Sequence, residues 1–118
     1  MTRFQDNIPI YLQIADDIKE QIISGKLQAG EKIKSVREYS LFYEVTVLTV
    51  HRALQLLETE GVVETKKGVG SFIIAGVRPI LENKMVDTQV QEFIGKMGNM
   101  GISRDSILHF VQEALANE

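Results

Sequence analysis

The stretch from Ser35 to Gly61 limits the possible folds of this chain more than any other. Ser35-Val36-Arg37-Glu38 has the serine-to-glutamate spacing in which two side chains satisfy backbone N–H groups reciprocally, which predicts a helix starting at Ser35. Val36, Tyr39, Ser40 and Tyr43 share roughly one face of it, Leu41 and Phe42 add apolar bulk, and the helix is expected to end near Tyr43. Thr46 is then a good N-cap for a second helix. Val50, Ala53, Leu54 and Leu57 give that helix the stripe of one laid on a core, and Gly61 closes it. The opposite face shows Val47, Leu48, Thr49, His51, Arg52 and Gln55. A short helix, a tight turn and a second amphipathic helix form the pattern of a helix-turn-helix.

The flanking segments extend this unit. Pro9 opens an earlier helix, where its missing N–H costs nothing. Ile10, Ile14, Ile18 and Ile22 recur every four residues, and Gly25 is placed to end a helix running over about 9–24. Leu27 to Gly30 reads as a turn, with Glu31-Lys32-Ile33 as one short strand. Val62 to Thr65 and Ser71 to Ile74 are β-rich runs around Lys66-Lys67-Gly68-Val69-Gly70, which predicts a hairpin. A hairpin directly after a helix-turn-helix is a wing.

Gly76 to Pro79 is expected to be a hinge, because Pro79 biases Arg78 away from helix. Beyond it, Val86, Val90, Phe93, Ile94 and Met97 fall on one helical face, and Gly98 to Gly101 breaks that helix. Ser103 caps a last helix with Asp105 in its first turn and an apolar stripe of Ile107, Phe110, Val111, Ala114 and Leu115. Such a helical hairpin buries little alone, so these residues are expected to pair with a second copy of the chain. The expected fold is α+β, mainly α: a winged helix-turn-helix domain over 1–76 and a C-terminal α-helical hairpin tail over 77–118 that dimerises.

Composition narrows the function. The chain has no cysteine and only two histidines, His51 and His109, and no carboxylate cluster has metal-ligand spacing. Gly68-Val69-Gly70 lacks the Gly-Lys-Ser/Thr ending of a phosphate loop. The residue set therefore argues against an enzyme, a metal site or a cofactor. No apolar run approaches a membrane span, and the first residues lack a signal-peptide core, so a cytoplasmic location is expected. The net charge of −3 is a poor match to nucleic acid, but its distribution matters more. Residues 1–76 hold 9 Lys/Arg against 10 Asp/Glu, and 77–118 hold 4 against 6, so the acid excess is not one block. Lys32, Lys34 and Arg37 form one local basic patch, and Lys66 with Lys67 a second.

In this order the residues resemble GntR regulators. The match runs through Pro9-Ile10-Tyr11-Leu12-Gln13-Ile14-Ala15, Gly25, Leu27, Gly30 and Ser35-Val36-Arg37-Glu38. It continues through Thr49-Val50-His51-Arg52-Ala53-Leu54, Leu57 to Gly61, and Gly68-Val69-Gly70-Ser71-Phe72. The 42 residues from Val77 to Glu118 are too few for the large effector domains of that family. A two-helix tail is similar to that of the YtrA-like subfamily, in which the tail mediates dimerisation. The resemblance implies a sequence-specific transcriptional regulator, a repressor, that binds a near-palindromic double-stranded DNA operator as a homodimer.

It also implies roles for single residues. Ser35 and Arg37 match positions that touch the DNA backbone, with Lys34 adding a phosphate contact in place of a usual proline. The recognition helix presents Arg52 to guanine or phosphate, His51 to either, and Thr46 and Thr49 to phosphate. Val47 and Leu48 are suited to thymine methyls, and Val47 stands where arginine or proline is common. Lys66, Lys67 and Gly68 match a wing tip that reaches the minor groove. Any small effector is expected around Arg78 to Met85. The competing reading is a winged fold used only for protein–protein contact, which the acidic pI of about 5.4 favours.

Overall fold

The computed structural model describes residues 4–118. Seven elements follow in chain order: α1 (Ile10–Ile23), α2 (Val36–Tyr43), α3 (Val47–Thr59), β1 (Val63–Lys66), β2 (Gly70–Ile73), α4 (Val77–Asn99) and α5 (Arg104–Ala116). The chain divides into two compact units, one ending at Glu82 and the other spanning Asn83–Glu118.

The first unit is built around α1. Its four-residue spacing of isoleucines puts Ile14, Ile18 and Ile22 on one side, all buried with Ala15. Val50, Ala53 and Leu57 of α3 and Tyr39 and Tyr43 of α2 close over that side. The box predicted at Ser35 is present: the Glu38 N–H donates to Ser35 Oγ at 3.1 Å, and the Ser35 N–H donates to Glu38 Oε1 at 2.9 Å. That bonding holds the Glu38 carboxyl below its ordinary range, the backbone N–H of Ser35 being the largest cause. Thr46 caps α3, its Oγ1 accepting from the Thr49 N–H at 3.3 Å. Between the helices Glu44 adopts the left-handed conformation, φ 57° and ψ 49°, and its N–H donates to the Ser40 carbonyl.

The hairpin is antiparallel, pairing Val63 with Ile73, Glu64 with Phe72, Thr65 with Ser71 and Lys66 with Gly70. Val63 and Ile73 are buried in the core with Val62 just before the hairpin, Gly70, Ser71 and Phe72 are half-buried, and Glu64, Thr65 and Lys66 are exposed. The strand expected at Glu31 to Ile33 is reduced to a single bridge, Lys32 to Phe72. The segment still adds an edge to the wing, since Gly30 N–H donates to Ile73 O at 2.8 Å and Ile33 N–H to Ser71 O at 2.9 Å. It is too short to form a ladder because α2 begins three residues after Ile33.

The hinge expected at Gly76 to Pro79 is instead the opening of α4. Pro79 is the third residue of that helix, where an N–H would have no intrahelical partner, so the proline is accommodated. Val77 and Leu81 are buried in the core of the first unit, and the Arg78 Nε donates to the Ile23 carbonyl at 3.0 Å.

The second unit is a helical hairpin. Gly101 takes φ 77° at its corner, and Ile102 N–H donates to Met97 O at 3.1 Å. Ser103 caps α5, accepting from the Ser106 N–H at 3.2 Å. No residue after Leu81 is buried. Val86, Val90, Phe93, Ile94, Phe110 and Leu115 are exposed, whereas Met97, Ile107 and Val111 are half-buried.

Candidate nucleic-acid interface

Three exposed segments of the first unit carry the residues expected to meet DNA: the start of α2, the first turns of α3 and the hairpin tip. Lys34 and Ser35 precede α2, and Arg37 lies in its first turn; all three are exposed. Lys34 Nζ sits 5.2 Å from the centre of the Phe42 ring and 5.9 Å from that of Tyr39. At the start of α3, Thr46, Val47, Leu48, His51 and Arg52 are exposed, and Thr49 is half-buried. The Thr46 and Thr49 hydroxyls lie 2.9 Å apart, so each is already partnered while still at the surface.

Val47 is 52 % exposed and Leu48 69 % exposed. The apolar stripe of α3 runs through Val50, Ala53 and Leu57 and leaves these two outside the core. An isolated exposed leucine is ordinary. Two in succession at the N-terminus of the helix present methyl groups to whatever that end of α3 meets.

At the hairpin tip, Lys66, Lys67, Gly68 and Val69 are all exposed. Gly68 has φ 77°, a conformation that side chains rarely adopt, and the Val69 N–H closes the turn onto Lys66 O at 2.9 Å. Lys66 Nζ lies 4.9 Å from the Phe72 ring centre. Gly70 takes φ 142°, a conformation that favours glycine, and the flexible end of Lys32 lies against it, where a Cβ would meet Lys32 Cε at 2.5 Å. Lys32, read from the sequence as part of a basic patch with Lys34 and Arg37, lies along the hairpin and adds a cation to the wing.

Among the described residues, Lys32, Lys34, Arg37, Arg52, Lys66 and Lys67 make no salt bridge. Acids stand on the same segments, Glu31, Glu38, Glu44 and Glu64 all being exposed, and a further group lies along α1 and the end of α3. There Lys19 pairs with both Asp16 and Glu60. Burial pushes the Asp16 carboxyl up, with Lys19 opposing and Glu60 adding to the shift. Glu20 is pushed up as well, first by burial and then by Asp17 and Asp16.

Tyr11, read from the sequence as a widening of the α1 core stripe, does more than fill space. The Arg52 guanidinium carbon stands 4.2 Å from the centre of its ring. Nothing local in the sequence marks this pair, because it joins the first turn of α1 to the second turn of α3.

The expected tail residues stand on the two helices of the second unit, none of them buried. Among the described residues no three His, Asp or Glu side chains converge as a metal site would require, and no helix is long and apolar enough to cross a membrane.

Known proteins share this architecture. The family model described as bacterial regulatory proteins, gntR family, matches residues 10–73. The transcriptional repressor YtrA of Bacillus subtilis is 30 % identical, over 96 % of this chain and 89 % of that protein. A GntR family transcriptional regulator from Listeria monocytogenes superposes with a TM-score of 0.88 at 33 % identity, covering 93 % of this chain and 98 % of the other. The DNA-binding domain of AraR, solved in complex with an operator, is 26 % identical with a TM-score of 0.55, covering 62 % of this chain and 86 % of that one.

Proposed function

This chain belongs to the gntR family of bacterial regulatory proteins and is a transcriptional regulator with a DNA-binding domain, not an enzyme; from that premise we propose that it is a cytoplasmic repressor that binds a near-palindromic operator as a homodimer.

One observation carries the DNA reading. Among the described residues, six cations that make no salt bridge stand at the surface just before and within α2, on α3 and along the wing. In this reading α3 enters the major groove. Val47 and Leu48 meet thymine methyls and His51 a base edge or phosphate. Thr46, Thr49, Lys34, Ser35 and Arg37 bind the backbone, fixing register without reading sequence. Lys66, Lys67 and Gly68 bring the wing to the minor groove, where the absent side chain of Gly68 allows close approach.

The dimer rests on the second unit. A two-helix hairpin with no buried residue lacks a core of its own, yet it exposes Val86, Val90, Phe93, Ile94, Phe110 and Leu115. Pairing with a second copy through these residues, with Met97, Ile107 and Val111, gives it one. Two-fold symmetry then matches an inverted repeat. The relative named as a repressor supports the sign of regulation.

Selection of binding sites from random duplex DNA tests the proposal. An enriched inverted repeat is the expected result. No enrichment at low salt would leave the protein-contact reading in its place.

A further inference from the structure

We infer that Tyr11 is a positioning residue for Arg52, and that the pair forms a clamp for an operator phosphate and does not read a base. This rests on the DNA-binding reading above and adds a residue of α1 to its machinery.

The geometry separates Arg52 from the base-facing residues. Val47 and Leu48 open α3, whereas Arg52 lies in its second turn with its head turned onto α1, 4.2 Å from the Tyr11 ring centre. Recognition helices offer their N-terminal residues to base edges, so a side chain drawn back along the helix and across to a neighbour faces the flanking backbone. Tyr11 is half-buried and packs against the core, which fixes its ring. With its carbon 4.2 Å from the ring centre, the guanidinium is held as a cation over a π face and leaves the N–H groups of an outer edge for a further partner. That edge suits the two oxygens of a phosphate. Arg52 has no acidic partner among the described residues, so no ion pair must break before an anion binds.

Lys34 over Phe42 and Lys66 over Phe72 repeat the arrangement more loosely, at 5.2 and 4.9 Å. An ammonium gains only a point contact from such a ring. The planar group of Arg52 gains a fixed orientation, which lowers the rotamer entropy lost when it grips its ligand.

The plainer role for the pair is a staple between α1 and α3 that serves stability alone. Anisotropy titrations of the full chain, with a selected duplex and with a shuffled duplex of equal composition over a salt series, distinguish the two. Arg52→Ala is expected to weaken both duplexes by about tenfold, as loss of a charge-assisted contact would. It should leave their ratio unchanged and flatten the log–log salt slope by about 0.9 per protomer. Tyr11→Phe, which keeps the ring, should bind like the parent chain. Tyr11→Leu, which keeps apolar bulk without the ring, should show part of the Arg52→Ala loss, and none beyond it in the double variant.

Thermal melting without DNA confirms that each variant is folded. Altered discrimination at one base pair in Arg52→Ala would overturn the phosphate assignment. Full additivity of the two losses, or a lowered melting point with unchanged DNA binding, would overturn the positioning role. Failure of the parent chain to bind either duplex would instead remove the DNA-binding reading, and this inference with it.

Discussion

The Tyr43 hydroxyl donates to Asp17 Oδ2 at 2.6 Å, tying the last residue of α2 to the middle of α1. Gln21 Nε2 donates to the same oxygen at 3.1 Å, so the carboxylate is held from two sides. This anchor sets where the turn before α3 leaves the core, and hence where the N-terminus of α3 is presented. Burial, and then the Asp17 carboxylate itself, raise the Tyr43 phenol above its ordinary value. Tyr43→Phe should therefore cost about 1.5 kcal/mol, the worth of a hydrogen bond to a charged group, in urea unfolding with an unchanged m-value. A cost near zero would mean that water replaces the phenol without loss.

Glu44 is the one described non-glycine residue with positive φ, at 57°. A side chain in that conformation is strained, and Glu44 is exposed with no bond from its carboxylate that would compensate. Glu44→Gly should raise stability by about 1 kcal/mol. A lower melting temperature would contradict this reading of the turn.

Local signals in the sequence account for much of this fold. Ser35, Thr46 and Ser103 announce three helix starts because a cap is a contact between near neighbours. The isoleucine spacing of α1 likewise marks its buried face through Ile14, Ile18 and Ile22, with Ile10 left exposed. Four features were not legible, each for a physical reason. Pro79 weakens a helix only where it removes a hydrogen bond, and its place in the first turn of α4 is set by how Val77 and Leu81 pack. The left-handed Glu44 has no signature, since glutamate rarely takes that conformation. The Tyr11–Arg52 stack and the lie of Lys32 along Gly70 are tertiary contacts that no local window contains.

Tyr39 is 2 % exposed, and its phenol is pushed up to about 12, burial being the largest cause. A group whose proton is held more tightly in the folded state stabilises the fold fully below its unfolded value near 10, and that stability is lost as pH rises toward 12. The urea midpoint should therefore fall steeply between pH 10 and pH 12. Tyr39→Phe should make the fall shallower, with the remainder due to Tyr43. A midpoint unchanged over that range would contradict the burial of both rings.

Phe93 and Ile94 are 40 % and 43 % exposed on the second unit. If they join two copies, Phe93→Asp with Ile94→Asp should convert a dimer into a monomer in sedimentation equilibrium. Affinity for an inverted repeat should fall much further than affinity for a half-site, because only the former uses both protomers. An unchanged sedimenting mass would place the dimer contact elsewhere or remove it.

Lys67 and Leu48 should behave differently as alanine variants. Lys67→Ala removes a charge at the hairpin tip and should weaken all duplexes evenly while flattening the salt slope by about 0.9 per protomer. Leu48→Ala removes a methyl-bearing contact and should relax preference at a single thymine, by about 1 kcal/mol, with the slope preserved. Reversal of the two patterns would exchange their assignments.

The most direct measurement is the affinity of the full chain for a selected inverted repeat against a shuffled duplex of equal composition, at one fixed ionic strength. A regulator that reads sequence through α3 should favour the repeat by about a thousandfold or more. Equal affinity for the two duplexes would contradict sequence-specific recognition and leave only the electrostatic attraction of exposed cations.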